Sequence, residues 1–388
     1  MLNTTIEEAF EINPTITIKR DAEVPFVSMD RLTPGQRDVD AGEIRQFRSG
    51  SKFAAGDTLM ARITPCLENK KIARYLPNDS FNKIAAGSTE FIVLRGKPGR
   101  TTTEFSYYFA ITPTIHETAI ALMTGTSGRQ RVDMAAFRAQ EVEIPELAEQ
   151  PKITDLLGAL DDKIVANQTS ISKIDEILRA LWQKELSLGN IDVPLSSLAS
   201  FINGKAFTKG ASGTGRVVVR IAEMNSGIGG KTVFSDFDAD PDNEVNPGDL
   251  LFSWSGTLMT KRWPYDQAIV NQHIFKVVPN GQLDLWALRQ AIDAQLEYFQ
   301  MIAAGKATTM GHIKRGDLDQ EVKVPAQMSE ETNQLGNSLW GLATSLEIQN
   351  LQLARTRDEL LPLLMSGRIT VGEAEDAADV AGTAASES

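Results

Sequence analysis

Apolar residues from Ile153 onward fall at positions 153, 157, 160, 164, 171, 174, 178 and 181, stepping by four and three in turn. The break in that rhythm is position 167, where Asn167 stands. A 4-3 alternation keeps one stripe of a helix turned toward a partner, which is the seam of a coiled coil. Leu339, Leu342, Leu346, Leu353, Leu360 and Leu363 repeat the rhythm late in the chain, with Gln349 in the place of Asn167 and Thr356 as a second polar interruption. Two long helices are therefore predicted. Their facing positions are Leu157, Leu160, Ile164, Asn167, Ile171, Ile174 and Leu178 on the first, and Leu339, Leu342, Leu346, Gln349, Leu353 and Leu360 on the second. A buried amide in a seam costs stability but fixes register, because only matched pairing gives it a partner. Heptads alone leave two packings open: the helices on each other, or each on a globular unit of its own.

Each helical pattern follows a short alternating segment stopped by proline, QEVEIP ending at Pro145 and QEVKVP ending at Pro325. The likeness extends backward along both halves. AAGDTLMARITP (54–65) has the counterpart NPGDLLFSWSGT (246–257), each a Gly-Asp turn feeding a short apolar strand. STEFIVLR (88–95) is answered by NQHIFKVVP (271–279), and GTSGRQRVDMAAFRAQEVEIP (125–145) by TTMGHIKRGDLDQEVKVP (308–325). The last pair reads as a Gly-containing basic loop, a polar stretch and the closing strand. Further helices are predicted at 104–123 and 284–303. The expected fold class is α+β: two mixed α/β units, at 1–149 and 189–327, followed by long helices at 150–188 and 328–371. Pairing antiparallel, those helices would form a coiled coil between units related by a pseudo-twofold axis.

A chain of 388 residues is long enough for two or three domains. Its 42% apolar and 23% charged residues are ordinary for a soluble protein. No window approaches the roughly 18 uninterrupted apolar residues of a membrane span, and no charged-then-apolar leader opens the chain. The single cysteine, Cys66, excludes an internal disulfide framework, so a cytoplasmic protein is expected. The net charge of −12 argues at first against nucleic acid. However, the charge is unevenly spread: Ile44 to Arg100 holds eleven Lys/Arg against four Asp/Glu, a local excess of +7. The residues from Gly372 to the end hold five acids and no base, and this tail at 372–388 is expected to be disordered. An acidic total is thus compatible with a basic working face.

Catalytic chemistry is hard to find. The three histidines (116, 273 and 312) and one cysteine have no metal-ligand spacing. Neither a GxxxxGK[ST] phosphate loop nor a GxSxG elbow occurs, and FINGKAF (201–207) lacks the glycine fingerprint of a dinucleotide site. No Asn-Pro-Pro-aromatic or Asp-Pro-Pro-aromatic tetrapeptide of an amino-methyltransferase is present. EVK (321–323) has the Glu-x-Lys form of some nuclease sites, but its repeat partner EVE (141–143) makes the lysine a strand residue. The acids of LDD (160–162) read as a solvated helix face outside the seam.

GDTLMARITPCLENKKIA, GSTEF, SGRQRV, IPELAEQPKI and LDDKI in the first half, with GDLLFSWSGT, AIVNQHIFKVV and LLPLLMSGRI in the second, together resemble the specificity subunit of type I restriction–modification enzymes. The likeness covers residues 20–371 and rests on ordered co-occurrence, since no single motif is decisive. It implies two target-recognition domains, each reading one half of a bipartite double-stranded DNA site, and two conserved helices whose length sets the gap. It also implies a subunit without a catalytic centre and without cofactors of its own. Such a subunit docks two modification subunits, which bind S-adenosylmethionine and methylate adenine, and through them restriction subunits that use ATP and Mg2+. One departure is the opening at TIEEAFEINP, with little preceding strand. Two rival readings are a recognition half of a single-chain restriction–methylation protein, and a coiled-coil adaptor whose globular ends bind protein.

Physical chemistry supplies the DNA-contact candidates. Arg62, Lys70, Lys71 and Arg74 cluster near a strand end and turn, and Arg129 and Arg131 sit in a Gly-flanked loop where a guanidinium fork could reach guanine or phosphate. His312, Lys314 and Arg315 occupy the equivalent second loop, Lys261 and Arg262 follow the SWSGTLMT segment, and Asn271 and Gln272 carry adenine-pairing amides. For each of these, a solvated surface side chain is the competing assignment. Trp254 reads as core within a predicted strand, and Met123 and Met134 as packing.

Overall fold

Both proline-ended segments are strands, and each closes a unit by pairing antiparallel with that unit's first strand. Glu141–Ile144 pairs with Leu2–Thr5, and Glu321–Pro325 with Asn190–Pro194. The opening of the first unit is therefore not short of a strand: Leu2 to Thr5 match Ile144 to Glu141 residue for residue. The computed structural model describes residues 1–77, 83–126, 128–305 and 311–374. The chain divides into unit 1, Met1–Ile164 with Gln352–Ser388, and unit 2, Val165–Leu351.

Besides its closing pair and the short pair Met123–Thr124 with Arg131–Val132, unit 1 has two larger sheets among the described residues. One runs Phe10–Ile12, Phe91–Gly96, Thr58–Ala61, Ile72–Tyr75, Asp38–Val39, and the other Glu43–Gln46, Glu23–Val27, Ile84–Gly87, Ser51–Ala54. Unit 2 repeats the plan with Ala199–Asn203, Ile274–Pro279, Leu250–Ser253, Met259–Arg262, and with Phe234–Ser235, Arg216–Val219, Ala268–Val270, Glu244–Val245. In each unit the second sheet has a parallel pair at its centre, Glu23–Val27 with Ile84–Gly87 and Arg216–Val219 with Ala268–Val270. The central strands are buried on both faces, so their two-residue period divides one side chain to each core. Phe91 and Val93 enter one cluster of unit 1 while Ile92 and Leu94 enter the other. Leu250 and Phe252 separate from Leu251 in the same way in unit 2.

The helices expected at 104–123 and 284–303 are each broken. Thr103–Ile111 and Pro113–Ala121 meet at Thr112, whose ψ of 129° leaves the helical region, as a following proline favours. Leu285–Asp293 and Leu296–Gly305 are also separate.

The long helices are Gln150–Leu188 and Glu330–Met365. Gln150, fully buried, anchors the first by donating to the carbonyls of Arg100 and Pro145 and accepting from the Thr102 amide. In unit 2 the two helices pack antiparallel. Asn167 donates to Gln349 at 2.7 Å and to Asn350 at 2.9 Å, while Glu185 accepts from Thr332 at 2.6 Å. As one helix advances from 167 to 185, the other retreats from 350 to 332. Ser329 also donates to Glu185, so this carboxylate faces the N-terminus of Glu330–Met365. The bond from Thr332, with those from Ser329, holds the Glu185 pKa below its ordinary value. In unit 1 Ile153 and Leu157 share a core with Leu360, Leu361 and Leu364.

Both packings left open by the heptads therefore occur together, and this shifts the expected seams. Leu157, Ile164, Asn167, Ile174 and Leu178 are buried, with Leu160 and Ile171 half-buried. On the second helix Leu360 is buried and Leu339, Leu346 and Leu353 half-buried, but Leu342 is 50% exposed. Gln349 is exposed as a residue yet accepts from the buried Asn167. The buried line runs instead through Thr332, Gly336, Trp340 and Ala343. The cause is the globular part of unit 2: Trp286 presses so close that a Cβ on Gly336 would lie 2.3 Å from its ring, and Trp340 donates to the Gly248 carbonyl. Asp161 corrects the reading of LDD as a solvated face, because it is 3% exposed and bonded to Tyr108 and Arg357. Asp162 does lie outside, beside Arg37. The acidic tail beyond Ala374 falls outside the described residues, whereas Gly372–Ala374 belong to a helical turn capped by Thr370.

Candidate nucleic-acid interface

The strand Thr58–Ala61 is followed directly by Arg62, and the equivalent strand Leu250–Ser253 by Trp254. Backbone hydrogen bonds hold these ends in the same frame. Arg62 N donates to Glu90 O at 2.9 Å, and Trp254 N to His273 O at 3.0 Å. Val132 N donates to Arg62 O at 2.9 Å, and Ile313 N to Trp254 O at 3.0 Å. Thr64 N reaches Gln130 O just as Gly256 N reaches Gly311 O, and the isolated bridges are Ile63 with Arg131 and Ser255 with His312. Three positions thus converge in each unit: Arg62, Glu90 and Arg131 in unit 1, and Trp254, His273 and His312 in unit 2.

The two trios differ chemically. In unit 1 the Arg131 fork grips Glu90, with Nε at 2.9 Å and Nη2 at 2.7 Å, while Arg62 Nε lies 3.8 Å from the same carboxylate. The Arg131 bond, helped by the nearby Arg62 charge, holds Glu90 below the usual carboxylate pKa range. Arg129 stands exposed on the adjoining loop. In unit 2 the Trp254 indole N–H donates to Asn203 Oδ1 at 2.8 Å. Its ring centroid lies 4.9 Å from His273, 5.9 Å from Phe275 and 6.4 Å from His312. A cavity of about 370 Å³ opens beside it, with Lys314 and Arg315 among its lining residues. Trp254 is therefore half-buried, packed on one side against the core of unit 2 and lining the cavity on the other, while Trp263 is fully buried.

The remaining candidates separate. Lys70 is exposed in its turn, but the half-buried Lys71 donates to the Met29 carbonyl at 2.9 Å. Arg74 pairs with Asp38 at 2.7 Å, and Asp38 also binds Arg37, which reaches the Gly158 carbonyl of the long helix. The expected cluster at 62–74 is thus divided by what each cation binds: Lys71 is held by the Met29 carbonyl, and Arg74 by Asp38 near the long helix. Arg262 is corrected outright as a surface cation. It is 2% exposed, pairs with Glu347 at 2.9 Å and lies over the Trp340 ring at 4.7 Å. Lys261 before it is half-buried. Asn271 is buried with Oδ1 unpartnered among the described residues, while Gln272 is exposed. Sequence reasoning missed Glu90, His273 and Asn203, and setting the repeats column against column would have brought out the first two. Among the described residues no group of three or more His, Cys, Asp or Glu could hold a metal ion, and no described helix is long and apolar enough to cross a membrane.

Two copies of one strand-end frame, carrying different side chains and each joined to a paired long helix, define an internally duplicated protein. Residues 64–176 match the type I restriction modification DNA specificity domain. The chain is 28% identical over 187 residues to the specificity subunit of the type I restriction enzyme EcoAI of Escherichia coli, covering 46% of this chain and 31% of that one. It is 27% identical over 161 residues to the EcoEI specificity subunit of the same organism, covering 40% and 27%. These matches span less than a third of the length of either relative. The crystal structure of a type I restriction–modification S subunit from M. genitalium has the same fold, with a TM-score of 0.51 at 15% identity over 94% of this chain and 96% of that one. By these comparisons the chain is similar, over part of its length, to type I restriction–modification specificity subunits, and it shares the fold of one of them.

Proposed function

We propose that the chain is the DNA-reading part of a type I restriction–modification complex. Each unit contacts one half of a bipartite double-stranded site, while the paired helices set the gap and dock two modification subunits. The observation that best supports this reading is the shared frame: one backbone arrangement presents Arg62, Glu90 and Arg131 in unit 1 and Trp254, His273 and His312 in unit 2. One scaffold with two chemistries is what two unlike half-sites require. A fork aligned by a carboxylate, as Arg131 is by Glu90, suits the paired acceptors of guanine. Exposed Arg129, Lys314 and Arg315 suit backbone phosphates, which position the protein without specifying sequence.

On this reading the chain performs neither methyl transfer nor cleavage, and it works in the cytoplasm. S-adenosylmethionine belongs to the modification subunits, and ATP and Mg2+ to the restriction subunits that join through them. Genome-wide adenine methylation, mapped with the gene present and deleted in cells expressing the modification subunits, tests the proposal. Loss of methylation at one bipartite motif with a fixed gap is expected. Unchanged methylation at every motif would overturn it.

A further inference from the structure

The duplication does not require the cavity beside Trp254. Unit 1 fills the equivalent frame with an ion-paired cluster, whereas unit 2 leaves about 370 Å³ lined mainly by Trp254, Phe275, His312 and Asn203. That volume lies within the range of small-ligand sites. Trp254 keeps part of its surface open although its edges are fixed by the bond to Asn203 and by three neighbouring rings. A ring held this way has already lost the rotamer freedom that binding would otherwise consume. His273, at the back of the ring cluster, holds φ +77°, where non-glycine residues are strained, and its Nδ1 is buried without a partner among the described residues. Two exposed cations, Lys314 and Arg315, complete the lining.

A planar apolar platform beside two cations matches a flat heterocycle that carries an anion. We propose that this cavity takes one unstacked nucleobase of a DNA strand, its ring against Trp254 and its phosphate on Lys314 and Arg315. Unit 2 then holds a nucleotide as well as following a groove. A thymine methyl contact alone would leave most of the cavity empty. The inference rests on the DNA-binding reading above and assigns one contact within it.

The test titrates the full chain with each of the four deoxynucleoside 5′-monophosphates, and separately with inorganic phosphate. Binding is followed by saturation-transfer NMR on the base protons and by tryptophan fluorescence, and each variant's Tm is measured alongside. At least one nucleotide is expected to bind saturably. Trp254→Leu should weaken it roughly tenfold or more, within the range of base–aromatic stacking. Trp254→Phe should largely retain binding, and Lys314→Ala with Arg315→Ala should weaken it while leaving Tm unchanged. If no nucleotide binds although the chain binds nonspecific duplex, the cavity proposal is wrong and the DNA reading stands. If duplex binding is absent as well, the reading beneath it fails. Wild-type nucleotide affinity in a folded Trp254→Leu protein, or in the Lys314/Arg315 double variant, would also overturn the proposal.

Discussion

Arg357 of the second long helix donates to Asp161 of the first at 2.6 Å inside unit 1, and both side chains are less than a tenth exposed. Tyr108 donates to the same carboxylate at 2.8 Å, from the helix Thr103–Ile111. Burial opposes the Arg357 charge, but Asp161 and then Asp358 outweigh it and raise the pKa above that of an ordinary guanidinium. Removing Asp161 would leave the buried Arg357 with only the exposed carboxylate of Asp358, and removing Arg357 would leave Asp161 a buried charge with only the Tyr108 hydroxyl. Asp161→Ala is therefore expected to cost roughly 3–5 kcal/mol, whereas Asp161→Leu combined with Arg357→Leu should recover most of that loss. Urea unfolding of the three proteins checks this, and equal losses in the single and double variants would discount the pair.

Asn167 makes a second test of the helix pair, in unit 2. Its amide is buried and donates to two side-chain oxygens, on Gln349 and Asn350. Asn167→Asp keeps the size but turns the donor into an acceptor facing two acceptors. A loss of roughly 1–3 kcal/mol is expected, the cost of an unsatisfied buried polar group. Asn167→Leu leaves two oxygens whose residues still reach water, so its effect should be much smaller. Thermal unfolding that ranks leucine below aspartate would contradict this account.

The contrast between these sites shows what local pattern can and cannot carry. The closing strands, the Gly-Asp turns and the first seam are legible because each depends on residues a few positions apart. Asn167 opposite Gln349 is also legible, as an amide facing an amide in two matched rhythms. Asp161 is not, because its burial depends on Arg357 and Tyr108, which no nearby residue announces. The second seam moves off Leu342 because Trp286 and Trp340 pack there, and leucine spacing cannot reveal that choice. Basic residues stand out in the sequence whether or not they are free, so Arg74 and Arg262 resemble Arg129 until their carboxylate partners are seen.

Glu90 gives a pH dependence with a definite sign. Arg131 holds its folded pKa below the unfolded value, so its contribution is present above the unfolded carboxylate pKa, about 4.3, and fades as pH falls through the folded value. Glu90→Gln removes that term. The variant should therefore be less stable than wild type at pH 7, with the difference in Tm shrinking toward pH 3. A gap in Tm that stays constant or widens on acidification would show that Glu90 is not held by Arg131 in this way.

The exposed loop cations can be separated by salt. If Arg129 neutralises a phosphate, Arg129→Ala should flatten the slope of log affinity against log salt by about 0.9 and weaken cognate and unrelated duplexes alike. Arg131→Ala should instead narrow the difference between cognate and mutated half-sites, because its fork is aligned by Glu90 for a directional contact. Arg262→Ala supplies the control: its guanidinium is buried against Glu347 and Trp340, so Tm should fall while the salt slope stays that of wild type. Fluorescence anisotropy on labelled duplexes at several salt concentrations measures all three. A reduced slope in Arg262→Ala, or an unchanged slope in Arg129→Ala, would mean that the phosphate contacts lie elsewhere on the chain.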